Sequence, residues 1–286
     1  MKGLDFSHCR TPEELQDALK ETITLLGSHL DKLTNFNKKD EFETLEGCFK
    51  RLDATPPLKF IPTGLYWLDE KLGGAGLAEG SFINVAGESF AGKTTFVLEL
   101  LQKLGENDKV AFFSYEMYEK VLYRKLRFSK TSFRRNLFLI QDEPYLDVIE
   151  RRIKELIKQG VKFVAIDSRM KIQTKEKMDD YVKNVFISAT LSRICRETGV
   201  IIMLINQMNE ADLKSGRLSL KGGNDQVYDS DMIFYLKYDD KEDTRVLYCA
   251  KDRLTDSGKK WKTTIPNFLK KEHGADDVVE FSEEIA

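Results

Sequence analysis

Apolar positions along this chain change their spacing twice, and each change marks a different kind of element. At the start, Leu15, Leu19, Ile23, Leu26, Leu30 and Leu33 recur every three or four residues, the spacing of one helix face. Thr11-Pro12-Glu13-Glu14 supplies the helix start, with threonine as N-cap, proline at the first helical position and a glutamate three residues after the cap. A second helical stretch carries Phe42, Leu45, Phe49 and Leu52, and Pro56-Pro57 stops it. From residue 58 onward the pattern becomes short continuous apolar runs at 82–86, 110–115, 137–140, 161–166, 200–205 and 232–236. Helical stretches such as 146–158 and 182–197 lie between them, which predicts an α/β fold: a mostly parallel twisted sheet covered by helices on both faces. Beyond 236 two short runs, 245–250 and 261–265, flank the turn-rich Thr255-Asp256-Ser257-Gly258 and predict antiparallel strands. The expected organisation is a small N-terminal helical appendage over 1–57, a domain over 58–271 and an acidic tail over 272–286.

Composition narrows this only a little. With 286 residues, 41% hydrophobic and 32% charged, the chain has room for one large domain plus an appendage. No apolar run has the length needed to span a bilayer, and Met1-Lys2-Gly3-Leu4-Asp5 has no signal-peptide core, so a cytoplasmic protein without a membrane partner is expected. Cys9, Cys48, Cys195 and Cys249 are scattered, form no C-x-x-C pair, and read as reduced structural thiols. A net charge of −2 gives no overall attraction to nucleic acid, so any such binding must come from local patches.

The most specific signal is Gly87-Glu88-Ser89-Phe90-Ala91-Gly92-Lys93-Thr94-Thr95, which completes the pattern G-x-x-x-x-G-K-[ST] between a predicted strand and a predicted helix. Glycines let the backbone wrap a phosphate chain, amide N–H groups face inward at the helix start, Lys93 adds a charge, and the Thr94 hydroxyl suits Mg²⁺. ATP and Mg²⁺ are therefore the expected cofactors. Asp167 ends the apolar run 161–166 in the Walker-B arrangement and is the candidate for organising the metal. Glu116 follows the run 110–115, which is expected close to the phosphate-loop strand, and a carboxylate there can align or deprotonate water. The competing role for Glu116 is an N-cap for the next helix. Gln207 ends the run 200–205 beside Asn206 and can sense the γ-phosphate.

Basic residues cluster in three places. The long polar stretch from Met208 to Asp229 carries Lys214, Arg217, Lys221, Gly222 and Gly223, and Lys171, Lys175 and Lys177 follow the Walker-B run. Basic, glycine-bearing loops after strand ends suit a polyanion such as single-stranded DNA, with solvated charge as the plain alternative. The third cluster, Lys120 to Arg135, has Leu122, Leu126 and Phe128 interleaved and reads in part as an amphipathic helix. Lys251 and Arg253, two apart on an extended segment, are candidates for insertion into a neighbouring subunit's nucleotide site.

In this order the pieces resemble the RecA superfamily of ATPases from residue 59 to about 266. Ile61-Pro62-Thr63-Gly64-Leu65, with Leu68-Asp69 and Leu72-Gly73-Gly74, is similar to that family's opening segment. Phe112-Phe113-Ser114-Tyr115-Glu116-Met117 resembles the "FFSLEM" stretch of DnaB-type replicative helicases, whose glutamate is the catalytic base. Arg124 resembles an arginine that follows that stretch and would belong to the nucleotide site. Asn206-Gln207-Met208-Asn209 is similar to the helicases' "SQLNR" and the recombinases' "TNQ", and Ala250-Lys251-Asp252-Arg253 to the "AKxR" whose basic pair acts across a subunit interface. Asp167-Ser168 and Gly222-Gly223-Asn224 lean instead toward the RadA recombinases, and the segment before residue 58 is short for a helicase N-terminal domain. The resemblance implies an ATPase that assembles into a ring or filament and couples nucleotide state to single-stranded DNA in replication, recombination or repair. A recombination mediator and a non-hydrolysing, nucleotide-gated adaptor working through the N-terminal helices are the alternatives.

Overall fold

In the computed structural model the chain is described at residues 11, 12, 16, 43–208, 220, 228–239, 241–255 and 260–266. The predicted first helix, most of the loop between Met208 and Asp229, and the acidic tail lie outside the described residues. Chain contacts divide at Pro57/Leu58 into two units. In the first, helix α1 (Leu45–Asp53) starts where Thr44 Oγ1 accepts the Gly47 amide at 3.1 Å. Its Leu45, Phe49 and Leu52 form one exposed apolar stripe.

The second unit opens with a two-stranded antiparallel sheet, β1 (Phe60–Ile61) against β2 (Leu77–Ala78), closed around α2 (Tyr66–Lys71). Asp69 accepts the Thr63 amide at 2.8 Å and the Gly64 amide at 3.2 Å, tying the turn to the helix that follows. Leu68 and Leu72 from the same segment are fully buried. This is the physical reason for a leucine-aspartate pair at 68–69.

The main sheet contains β3 (Phe82–Gly87), β4 (Lys109–Ser114), β5 (Leu137–Ile140), β6 (Val161–Asp167), β7 (Ile201–Gln207), β8 (Met232–Asp239), β9 (Thr244–Asp252) and β10 (Trp261–Ile265), in the spatial order β10-β9-β8-β3-β7-β6-β4-β5. Strands β5, β4, β6, β7, β3 and β8 are mutually parallel, whereas β8–β9 and β9–β10 are antiparallel. The crossovers carry α3 (Lys93–Leu104), α4 (Glu119–Leu126), α5 (Thr131–Asn136), α6 (Leu146–Lys158) and α7 (Asp180–Thr198).

Alternation along each central strand feeds two cores. Ile83 and Val85, Phe163 and Ala165, and Ile201, Met203 and Ile205 pack with α3 residues Phe96, Val97, Leu100 and Leu101 on one face. Phe82, Val164, Ile166, Ile202 and Leu204 pack with α6 and α7 on the other. Burial on both faces explains why these strands read as unbroken apolar runs. Helix α7 is bounded by Asp179, whose side chain accepts the Val182 amide, and by Gly199 at φ 76°. No helix among the described residues is long and apolar enough to cross a membrane. Cys48, Cys195 and Cys249 are free thiols, and burial pushes Cys249 up to about 12 and Cys195 higher still.

Candidate active site

Strand β3 is buried throughout and delivers the loop 88–92 to the C-terminal edge of the parallel strands, where α3 begins. Two glycines have no substitute here. A Cβ on Gly87 would lie 2.5 Å from the Leu236 carbonyl oxygen of β8. Gly92, at φ +93°, would place one 2.7 Å from Arg245 Nε. Between them Phe90 holds φ 65° and is fully exposed at the tip. Lys93 folds back on the loop, donating to the carbonyls of Gly87 at 3.1 Å and Glu88 at 2.7 Å. Burial lowers its pKa, opposed by the charges of Asp167, Glu116 and Glu88.

These groups open on a cavity of about 570 Å³ lined by Ser89, Phe90, Gly92, Lys93, Thr94 and Thr95, with the acids and amides of neighbouring strand ends opposite. Thr94 Oγ1 donates to Asp167 Oδ2 at 2.8 Å, whereas Asp167 Oδ1 is buried without any hydrogen-bond partner. Burial raises the Asp167 pKa to about 6; the Thr94 bond and Lys93 pull it down and Glu116 pushes it up. A buried carboxylate oxygen with no donor, beside a threonine hydroxyl, is the donor set a hard divalent cation takes when substrate phosphates and waters complete its shell. The residues therefore fit Mg²⁺. Among the described residues no cluster of three or more His, Cys, Asp or Glu side chains offers a second site.

Glu116 reaches the same cavity by a different route from the one expected. Strand β4 is not beside β3, because β7 and β6 lie between them. Instead β4 pairs with β6, Ser114 sits in register with Asp167, and the Tyr115 amide donates to the Asp167 carbonyl at 2.8 Å. Glu116 then accepts a hydrogen bond from the Ser168 hydroxyl while remaining exposed on the cavity wall.

Gln207 stands in register with Gly87 across the β3–β7 pair and lines the cavity. Its amide donates to Asn206 Oδ1 at 2.9 Å, which also accepts from Arg169 Nε at 2.9 Å. Arg169 lies in the 3₁₀ turn Arg169–Lys171 after β6 and is almost wholly buried; a second bond joins it to Asn184 of α7. The chain of polar groups continues from Asn206 to Asn84 at 3.4 Å and from Asn84 to Ser230 at 2.7 Å. It thus crosses the sheet from the cavity to the segment that precedes β8.

The cations distribute unexpectedly. Arg124, placed at the nucleotide by resemblance, lines a separate cavity of about 330 Å³ with Thr95, Leu98, Gln102 and Val121. Its neighbour Lys125 is the one that also borders the main cavity, because adjacent residues on a helix point about 100° apart. Lys251 and Arg253 lie at the opposite edge of the sheet from Gly87. Lys251 pairs with Ile233 near the start of β8 and its Nζ donates to the Tyr228 carbonyl at 3.4 Å, and the Arg253 amide donates to the Asp231 carbonyl. Burial, then the Arg253 charge, lowers the Lys251 pKa to about 8 against the opposing pull of Asp231 and Asp229.

The sequence reading passed over Arg245, which the structure brings to the cavity wall. A signal existed: Arg245, Leu247 and Cys249 alternate along β9, and the latter two are buried on the α3 face. Lys171, Lys175 and Lys177 are exposed after β6, and Lys175 is paired with Asp147 at 2.7 Å. Lys214, Arg217, Lys221, Gly222 and Gly223 lie outside the described residues.

With this geometry in place, comparison with known proteins is informative. Residues 60–138 match the family model for the DnaB-like helicase C terminal domain. Among solved structures, a helicase ATPase domain superposes with a TM-score of 0.61 at 19% identity, covering 77% of this chain and 92% of that one. A KaiC-like protein from the hyperthermophilic archaeon Pyrococcus horikoshii OT3 superposes with a TM-score of 0.56 at 20% identity, covering 73% of this chain and 100% of that one. No curated protein matches in sequence.

Proposed function

Starting from a RecA-like fold that carries a DnaB-like segment at its phosphate loop, we propose that this chain binds and hydrolyses ATP with Mg²⁺ and couples nucleotide state to single-stranded DNA. The observation that carries the reading is the convergence of Lys93, Thr94, Asp167 and Glu116, from three different elements, on one cavity. Loop amides 88–95 and Lys93 bind the phosphates, which compete with the Gly87 and Glu88 carbonyls for the lysine ammonium. Thr94 and Asp167 hold Mg²⁺, which when bound neutralises charge on the phosphate oxygens. Glu116, exposed to solvent and oriented by Ser168, takes the proton of the attacking water. Gln207 hydrogen-bonds the γ-phosphate, and its loss is felt at Asn206 and along the polar chain to Ser230.

Lys251 and Arg253 complete a neighbour's site in a ring or filament. Their position at the far edge of the sheet supports this, because neither can turn back to its own cavity. The basic loop from Met208 onward and the lysines after β6 supply the DNA contacts.

The test is ATP turnover measured against protein concentration, with and without single-stranded DNA, for the unaltered chain and Glu116→Gln. Turnover that rises with concentration and DNA, and falls about 10²–10⁴-fold in Glu116→Gln with ATP binding retained, is the expected result. ATP binding without turnover under any condition would leave a nucleotide-gated adaptor and sink the enzyme reading.

A further inference from the structure

Arg245 sits where no nucleotide-site motif places a residue. It is the second residue of β9, in register with Tyr238 of β8, and Tyr238 lies two positions beyond Leu236, the partner of Gly87. The guanidinium therefore lies at the level of the phosphate loop. Its Nε stands 2.7 Å from where a Gly92 Cβ would be, so the absence of a side chain at 92 is what admits it. The guanidinium carbon lies 5.8 Å from the centre of the Tyr238 ring, within cation–π range, and the Tyr238 hydroxyl is itself anchored on Asp243. Held this way, Arg245 lines the same cavity as Lys93, Thr94 and Asp167. Yet its buried Nε–H has no acceptor.

A buried arginine N–H without an acceptor is costly unless an acceptor arrives. The available positions are the cavity and the loop, and that loop's amides are arranged to face anionic oxygens. We infer that Arg245 is a nucleotide-binding residue supplied by the chain's own β9, donating to oxygens of the phosphate chain from the side opposite β6. This rests on the ATP-binding reading above and extends it: one flank of the phosphates is held by Lys93 and Mg²⁺, and the other by a guanidinium pre-positioned on Tyr238. Lys251 and Arg253, on the same strand, cannot substitute. Six residues of strand separate Arg245 from Lys251, about 20 Å at the rise of an extended chain.

Calorimetric titration of the full chain with Mg-ATP, for the unaltered protein, Arg245→Gln and Arg245→Lys at two salt concentrations, tests the assignment. The expected result is a 10–100-fold weaker affinity in Arg245→Gln, the range for a charge-assisted hydrogen bond, with a smaller dependence on salt and partial recovery in Arg245→Lys. The melting temperature without nucleotide should be unchanged by Arg245→Gln. An affinity in Arg245→Gln within threefold of the unaltered chain would overturn the inference and leave the ATPase reading intact. So would a loss that salt does not modulate and that comes with an equal fall in the nucleotide-free melting temperature, since that marks a packing role. If the unaltered chain binds no ATP, the wider reading fails and Arg245 fails with it.

Discussion

Strands β3, β7 and β6 are parallel and buried on both faces, so each can present a polar group to the cavity only where it ends: Gly87, Gln207 and Asp167. Strand β9 behaves differently. It is antiparallel to its neighbours, partly exposed along its length, and has its two ends on opposite edges of the sheet. One strand thus carries Arg245 to the chain's own cavity and Lys251 to the far edge. The contrast shows how one fold separates two tasks. The parallel half fixes groups that must act together on one ligand, and the antiparallel flank links that ligand's site to whatever lies against the other side of the subunit. The polar chain Asn206–Asn84–Ser230 runs in the same direction through the interior, ending close to Tyr228, whose carbonyl accepts from Lys251.

The largest effect should come from cutting the flank while sparing the centre. Arg253→Ala is expected to lower turnover by about 10³-fold or more, the scale of a missing arginine finger, while leaving ATP affinity nearly unchanged. Mixing it with an equal amount of Lys93→Ala subunits should restore part of the rate through mixed interfaces. Steady-state kinetics of the mixture decide this, and no recovery at any ratio would remove the neighbour-acting role.

A second substitution attacks the seam between the halves. Phe96 of α3 meets Phe234 of β8 edge-on, with ring centres 6.3 Å apart and planes at 85°, and both rings are buried. Truncating Phe96 to alanine is expected to cost about 3–5 kcal/mol by denaturant unfolding, since it opens a cavity beneath the helix that starts with Lys93. A cost below about 1 kcal/mol would mean that the seam repacks and that the two halves are less tightly joined than the contact implies.

The same contrast explains what was legible in the sequence. Elements 137–140 and 146–158 coincide with the observed β5 and α6, because unbroken apolar runs and 3.6-residue periodicity leave few alternatives. Lys93, Thr94 and Asp167 were readable because their roles demand fixed places at strand ends. The position of β4 was not, since adjacency of parallel strands depends on crossover order, which periodicity does not encode. Arg124 and Lys125 show a finer limit: one residue along a helix changes which cavity is lined. Arg245 escaped because its signal was an alternation with two buried residues on a strand whose neighbour and direction were not yet fixed. Nothing in the sequence distinguishes Arg169 as buried, either; its bonds to Asn184 and Asn206 come from elements far apart in the chain.

A smaller effect should appear in the pH profile. Lys251 has a pKa lowered to about 8, so it loses its charge as pH rises through that value, where an ordinary lysine stays protonated. If its ammonium serves a neighbour's phosphate, turnover should fall above pH 8 by a factor approaching about ten per unit. Arg253 does not titrate in this range, so it cannot produce the fall. Lys251→Arg should move the fall to higher pH or abolish it, which a rate–pH series for both proteins will show. A profile unchanged by that substitution would assign the loss to another group and confine Lys251 to its contact with Tyr228.

The smallest effect tests whether the lysines after β6 act as one patch. Lys171, Lys175 and Lys177 are all exposed, but the Lys175 charge is already partnered by Asp147 at 2.7 Å. The pairing lowers the Asp147 pKa through its hydrogen bond to Lys175, so the carboxylate stays ionised throughout the neutral range. A phosphate approaching Lys175 must compete with that carboxylate and also meets its negative charge. Lys177→Ala should therefore weaken single-stranded DNA binding several-fold and reduce the salt slope by about 0.7, as expected for one lost phosphate contact. Lys175→Ala should change affinity less than about twofold, a small net effect typical of an exposed paired charge. Fluorescence anisotropy titrations across salt concentrations give both quantities. Equal losses in the two variants would show that DNA displaces Asp147 and that β6 contributes its basic residues as a single surface, as β9 does not.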